Sequence, residues 1–223
     1  MRCLFGMAAS CVLTLSSTTA ARAEPNTPQL LGLPAPLAWQ NRPATWEAAD
    51  GKSLTLTAGK KTDWFVWPGG GYRADASARL LFRTANNFMF STQVNVRAQT
   101  TYDAGCIVLY DTNTAWAKFC LEAQNGGGLS VISVVTRDLS DDATSYPVSG
   151  TSVYLKMAKA DDVVFFYASA DGKAWTIIRK FAFASPDGLS AGFSAQSPDG
   201  NGATALFSNF QYRPERVDLW KLQ

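Results

Sequence analysis

The chain has 223 residues, with 20 lysines and arginines, 18 aspartates and glutamates, and no histidine. The lack of histidine excludes Ser-His-Asp and Cys-His nucleophile systems and histidine-based zinc sites, so any acid–base chemistry falls to carboxylates, tyrosine or lysine. Near-neutral charge without a basic stripe argues against a nucleic-acid or anionic-membrane partner, since such contacts are won by excess Lys and Arg.

Residues 1–23 read as an export signal: Met1-Arg2 supplies charge, the stretch from Cys3 to Leu15 is mostly apolar, and Ala21-Arg22-Ala23 is a small-x-small cleavage site. Cleavage before Glu24 would remove Arg2 and Arg22 and leave equal numbers of basic and acidic groups. The expected location is therefore periplasmic or secreted. The apolar run falls short of the roughly 20 residues of a spanning helix, and no other segment approaches that length, so no membrane span is expected. Cys11 lacks the leucine three residues earlier that a lipid-attachment box would carry.

Residues 24–36 are Pro-rich and aperiodic, as in a linker or an extended edge segment. Short β runs then follow at 54–57, 80–83, 88–96, 106–110, 115–122, 129–136, 153–158, 163–169, 175–181, 191–195 and 204–212. Turn signals separate them, of which Asp171-Gly172 is the clearest, and no 3.6-residue period persists. This pattern predicts one all-β domain over 37–213, a two-sheet sandwich with more strands than an immunoglobulin domain and a count suited to a jelly roll. Residues 214–223 form a C-terminal tail.

Alternation places Trp116, Lys118 and Glu122 on one face of the 115–122 strand and Ala117, Phe119 and Leu121 on the other. Further along, Ser133-Val134-Val135-Thr136-Arg137 leads into Ser140-Asp141. These segments, with Thr62-Asp63-Trp64-Phe65, Tyr102-Asp103-Ala104-Gly105, Asp171-Gly172-x-x-Trp175 and Ser197-Pro198-x-Gly200, resemble the concanavalin A-like lectin/glucanase family of unknown function, "regulation of enolase" type. The resemblance spans roughly residues 36–212 and implies a lectin-like, concanavalin A-like jelly-roll sandwich without implying an activity. Cys106 and Cys120 stand where that family usually has glycine, and Asp142 replaces its tryptophan after Ser-Asp.

If residues 112–114 form the hairpin tip, Cys106 faces Cys120, Val108 faces Lys118 and Tyr110 faces Trp116. Opposed strand residues lie about 4.5–5.5 Å apart, so the two substituted cysteines can form a disulfide, which an oxidising compartment would preserve. A one-residue slip would send them to opposite faces and leave two separate thiols.

Asp103, Tyr110, Trp116, Lys118, Glu122, Arg137 and Asp141 compose the candidate ligand-binding set. Three readings remain open for it: an internal ion-pair network, a glycan-contacting face, or a catalytic carboxyl pair of Glu122 with Asp103 or Asp141. Sugars present C–H faces to aromatic rings and hydroxyls to carboxylates and amides, and Trp64, Trp67, Tyr72 and Tyr102 add loop candidates for such contacts. A glycosidase pair needs carboxyls about 5–9.5 Å apart across a cleft. The Glu-x-Asp-x-x-Glu strand signature of sandwich glucanases is absent.

The doublets Asp141-Asp142 and Asp161-Asp162 could offer oxygens to calcium, yet neither sits in an EF-hand-like loop, so no metal or cofactor is expected. The favoured function is an exported, non-catalytic carbohydrate- or glycoconjugate-binding domain. A glycan hydrolase or lyase centred on Glu122 and an envelope protein-interaction domain are the alternatives.

Overall fold

The computed structural model describes residues 27–43, 45–185 and 187–223; the expected export signal lies outside the described residues. In chain order the strands are β1 (Leu37–Gln40), β2 (Thr45–Glu47), β3 (Ser53–Ala58), β4 (Trp64–Val66), β5 (Arg73–Asp75), β6 (Ala78–Arg83), β7 (Phe88–Arg97) and β8 (Ala104–Thr112). They continue as β9 (Ala115–Ala123), β10 (Leu129–Arg137), β11 (Leu139–Val148), β12 (Ser152–Ala160), β13 (Val163–Ser169), β14 (Thr176–Ala182), β15 (Ser190–Gln196) and β16 (Ala203–Arg213).

Two antiparallel sheets of seven strands face one another, a front sheet in the order β1-β6-β15-β8-β9-β10-β11 and a back sheet in the order β14-β13-β12-β7-β16-β3-β2. This is the expected jelly-roll sandwich. Each sheet turns one side-chain parity inward, and Phe82, Phe90, Phe119, Phe166, Phe193 and Phe207 fill the space between them. Phe119 stacks on Phe166 at 4.7 Å between ring centroids, and Phe82 meets Phe90 edge-on at 5.2 Å. At Gly105 the sheets come close together: a Cβ there would fall 2.7 Å from the Ala205 Cβ.

All eleven runs expected from the sequence are strands, within a few residues at their ends. The β8–β9 hairpin has the predicted register, with Cys106 opposite Cys120, Val108 opposite Lys118 and Tyr110 opposite Trp116. The disulfide Cys106–Cys120 is present, with Cα atoms 4.0 Å apart. The turn at Asp171-Gly172 is held by the Asp171 carboxylate, which accepts from Lys173 N at 2.8 Å and Ala174 N at 3.0 Å, while Gly172 takes φ +74°.

The ribbon β4–β5 belongs to neither large sheet. With the residues around it, 61–77, it folds back over the outer side of the front sheet and roofs a second apolar core of Trp64, Val66, Cys106, Trp116, Cys120 and Val134. Trp64 stacks on Trp116 with centroids 3.9 Å apart, and the Arg79 guanidinium stands 4.3 Å from the Trp64 ring. Burying a ring of this size removes roughly 200 Å² from water, worth about 5 kcal/mol as an upper bound. The tail 214–223 is likewise packed. Leu219 is buried against the outer side of the back sheet, its carbonyl accepts from Tyr167 Oη at 2.5 Å, and Leu222 O accepts from Lys156 Nζ at 3.1 Å.

Candidate functional site

The alternation in β9 does put Trp116, Lys118 and Glu122 on the outer side of the front sheet, but the roof covers that side. Trp116 is fully buried and Lys118 nearly so, while Glu122 is 8% exposed at the edge. Lys118 Nζ donates to Gln196 Oε1 at 2.8 Å and lies 3.6 Å from Asp63 Oδ1. Gln196 in turn donates through Nε2 to the Tyr102 carbonyl at 3.2 Å and to Glu122 Oε2 at 3.4 Å, so one amide links the cation to the acid.

Asp63 ties this cluster to the roof. Its Oδ1 accepts from Trp64 N at 2.6 Å, its Oδ2 from Tyr72 Oη at 3.0 Å, and its carbonyl from Ala76 N and Ser77 N. Burial, together with the Asp63 charge, pushes the Tyr72 phenol up to about 12, so it remains a donor. The Glu122 carboxyl is pushed up to about 7, first by burial and then by the charges of Asp63 and Asp142, with Lys118 opposing the rise.

The remaining candidates part company. Asp103 is fully buried and clamps its own loop: it accepts from Gln99 N at 2.8 Å, Thr100 N at 2.9 Å and Thr100 Oγ1 at 3.0 Å. The turn around Gly200 closes on this clamp, and a Cβ at Gly200 would fall 2.4 Å from Thr100 Oγ1. Tyr110 is half-buried and donates to Asn113 Oδ1 within its own hairpin at 2.8 Å.

Arg137 and Asp141 do not join Glu122. They pair with Ala115 and Val135, which share the parity facing the other sheet, whereas Glu122 pairs with Ser130 at the opposite end of the ladder. Arg137 donates to the Ala182 carbonyl. Asp141 meets Arg179 of β14 at 3.1 Å, so both residues fasten the two sheet edges together.

The set expected to form one ligand face is therefore corrected. Trp116 and Lys118 are internal, Asp103 is a loop clamp, Arg137 and Asp141 belong to the inter-sheet edge, and Glu122 sits at the rim of the buried cluster, as little exposed as Asp63. Neither proposed carboxyl pair faces a common cleft. Asp161 of the second acidic doublet is paired with Arg216 at 2.8 Å, and no group of three His, Cys, Asp or Glu among the described residues is disposed to hold a metal ion. Asp63 and Gln196 were missed as members of the cluster, although each lies in or beside a motif segment, Thr62-Asp63-Trp64-Phe65 and Ser197-Pro198-x-Gly200.

What the roof does expose is aromatic. Trp67 is 55% exposed and Tyr72 49% exposed, at the two ends of the Trp67-Pro68-Gly69-Gly70-Gly71-Tyr72 tip. Trp67 N donates to Tyr72 O and Gly70 N to Trp67 O, both at 3.0 Å, with Gly70 and Gly71 at positive φ. A Cβ at Gly69 would lie 2.7 Å from Trp67 Nε1, so the indole rests against bare backbone.

Solved structures of similar fold include a functionally unknown protein from Saccharomyces cerevisiae, 24% identical, with TM-score 0.76, covering 81% of this chain and 97% of that one. A xylan beta-1,4-xylosidase from Bacillus halodurans C-125 is 15% identical with TM-score 0.60, covering 85% of this chain and 41% of its own. The CBM2 module of the evolved Dit of Lactobacillus casei BL23 phage J-1 is 14% identical with TM-score 0.53, covering 84% and 93% respectively. At these identities the likeness is one of fold. A search of curated proteins finds no match. The model of a protein family of unknown function, DUF1349, matches residues 39–215, nearly the whole sandwich, and the chain belongs to that family.

Proposed function

We propose that the protein is an exported, non-catalytic carbohydrate-binding domain whose glycan platform is the Trp67–Tyr72 tip of the roof rather than the strand face beneath it. The observation that carries this is the pair of exposed aromatic rings on a ribbon whose base is fixed by buried polar contacts. A pyranose C–H face stacks on such a ring, and a ring already seated against Gly69 loses little freedom on binding. Export is part of the proposal on the strength of the charged, apolar and small-residue pattern of residues 1–23. Neighbours named as a xylosidase and as a CBM2 module agree with a glycan context for this sandwich. A hydrolase centred on Glu122 is less well supported, because Asp103 and Asp141 are engaged elsewhere.

The test combines a glycan array with calorimetry and reducing-sugar release on the same oligosaccharides. Binding without turnover, weakened roughly tenfold or more in Trp67→Ala with the circular dichroism spectrum unchanged, is the expected result. Equal affinity in Trp67→Ala refutes the platform, and turnover abolished in Glu122→Gln with binding intact refutes the non-catalytic assignment.

A further inference from the structure

A second feature of the sandwich lies at one open end, between the sheets. A groove of about 660 Å³ runs between the end of β7, the loop 98–101, the β9–β10 turn and the β11–β12 turn. Its volume is in the range of small-ligand sites. The apolar part of its wall is Val96, Ala98, Ala123, Leu129 and Val148; the polar part includes Arg97, Gln99, Thr101 and Gln124; among the described residues no carboxylate lines it.

Two observations set its chemistry. Arg97 is exposed, and its guanidinium has no ion pair or hydrogen bond among the described residues. Arg79, Arg137, Arg179 and Arg216 by contrast each meet a carboxylate or a carbonyl. The opposite wall is stripped of side chains: Gly126, Gly127 and Gly128 all have positive φ, and a Cβ on any of them would meet nothing within 4 Å. These glycines answer the turn's conformation rather than crowding, and they let a ligand reach the backbone.

From these features we infer that the groove is a second saccharide site, selective for a sugar that carries a carboxylate. The apolar wall takes the ring's C–H face, Gln99, Gln124 and Thr101 meet hydroxyls, and Arg97 supplies the fork that matches a carboxylate. The site is separate from the aromatic platform. The loop that walls it also carries Tyr102, whose carbonyl accepts from Gln196 in the buried cluster, so the loop divides the groove from the roof.

The test is calorimetry of the exported chain with digalacturonate and with its methyl ester, which keeps the shape and loses the charge. Digalacturonate is expected to bind, the ester roughly tenfold to a hundredfold more weakly, with the same loss for digalacturonate in Arg97→Gln. Equal affinity for acid and ester, undiminished affinity in Arg97→Gln, or no binding of digalacturonate overturns the inference. A neutral oligosaccharide lost only in Trp67→Ala would leave the platform standing in each of those cases.

Discussion

The replacement Glu122→Gln isolates the electrostatic cost of the buried cluster. The carboxyl has an ordinary value of 4.5 and is pushed up to about 7 in the folded protein, chiefly by burial. The folded chain thus holds this proton where the unfolded chain has released it. The stability associated with it is fully present below about pH 4.5 and is lost as pH rises through about 7. The full loss is roughly 3 kcal/mol at about 1.4 kcal/mol per unit, most of it falling between about pH 5 and about pH 8. Glutamine keeps the shape and the contact with Gln196 but cannot ionise, so the variant escapes this loss. Urea unfolding followed by tryptophan fluorescence should show the variant gaining on the parent by roughly 2 to 3 kcal/mol across that range, a midpoint shift of roughly 1 M. A difference between the two proteins that stays flat from about pH 5 to about pH 8 would refute the placement of Glu122 at the edge of a closed, desolvated cluster.

Two further outcomes follow from the geometry. The Cys106–Cys120 bond closes a loop of sequence separation 14 inside the roofed core. Its removal in the Cys106→Ala, Cys120→Ala double variant should cost about 3 kcal/mol, read by the same urea titration, and the intact bond lowers the non-reduced mass by two hydrogens. Asp103→Ala strips three acceptor contacts from residues 99 and 100, and should cost about 2–3 kcal/mol by thermal unfolding. It should also weaken digalacturonate binding at the groove that this loop walls, although Asp103 lies behind the wall.

The fold was legible because its long strands carry two apolar parities or a clear alternation, and because Asp-Gly and Gly-rich turns separate them. Strand β11 escaped: Asp141, Asp142, Ala143, Thr144 and Ser145 are exposed along one edge of the front sheet, where neither face supplies an apolar signal. Strands β1, β2, β4 and β5 have only three or four residues each, too few for any period. The hairpin register was readable because the cysteines and the tip agree on one pairing. The cover over that hairpin was not, since alternation separates two faces without saying what lies on either. One sign was nevertheless present. The register that places Trp116 and Lys118 together also places Val108 and Cys106 beside them, and Ile132 and Val134 follow on β10. Five apolar groups around one lysine are too many for a solvated face.

Four of the segments that carry the family resemblance meet at the same place: Thr62 to Phe65 through the bridge of Thr62 with Ser197, Tyr102 to Gly105 through the Asp103 clamp, Trp116 to Glu122 through Lys118, and Ser197 to Gly200 through the close approach of Gly200. Burying Lys118, Asp63 and Glu122 there is costly compared with an apolar socket of the same volume, so net stability does not account for them. Direction does. An apolar socket would accept the β4–β5 ribbon in shifted registers, whereas Asp63 must meet Lys118 while Val66 N donates to Ser140 Oγ and Thr62 bridges Ser197, and those contacts to the front sheet fix one seating. The residues that look most like a binding site in the sequence thus hold the ribbon in register, and the exposed rings at its tip inherit that rigidity.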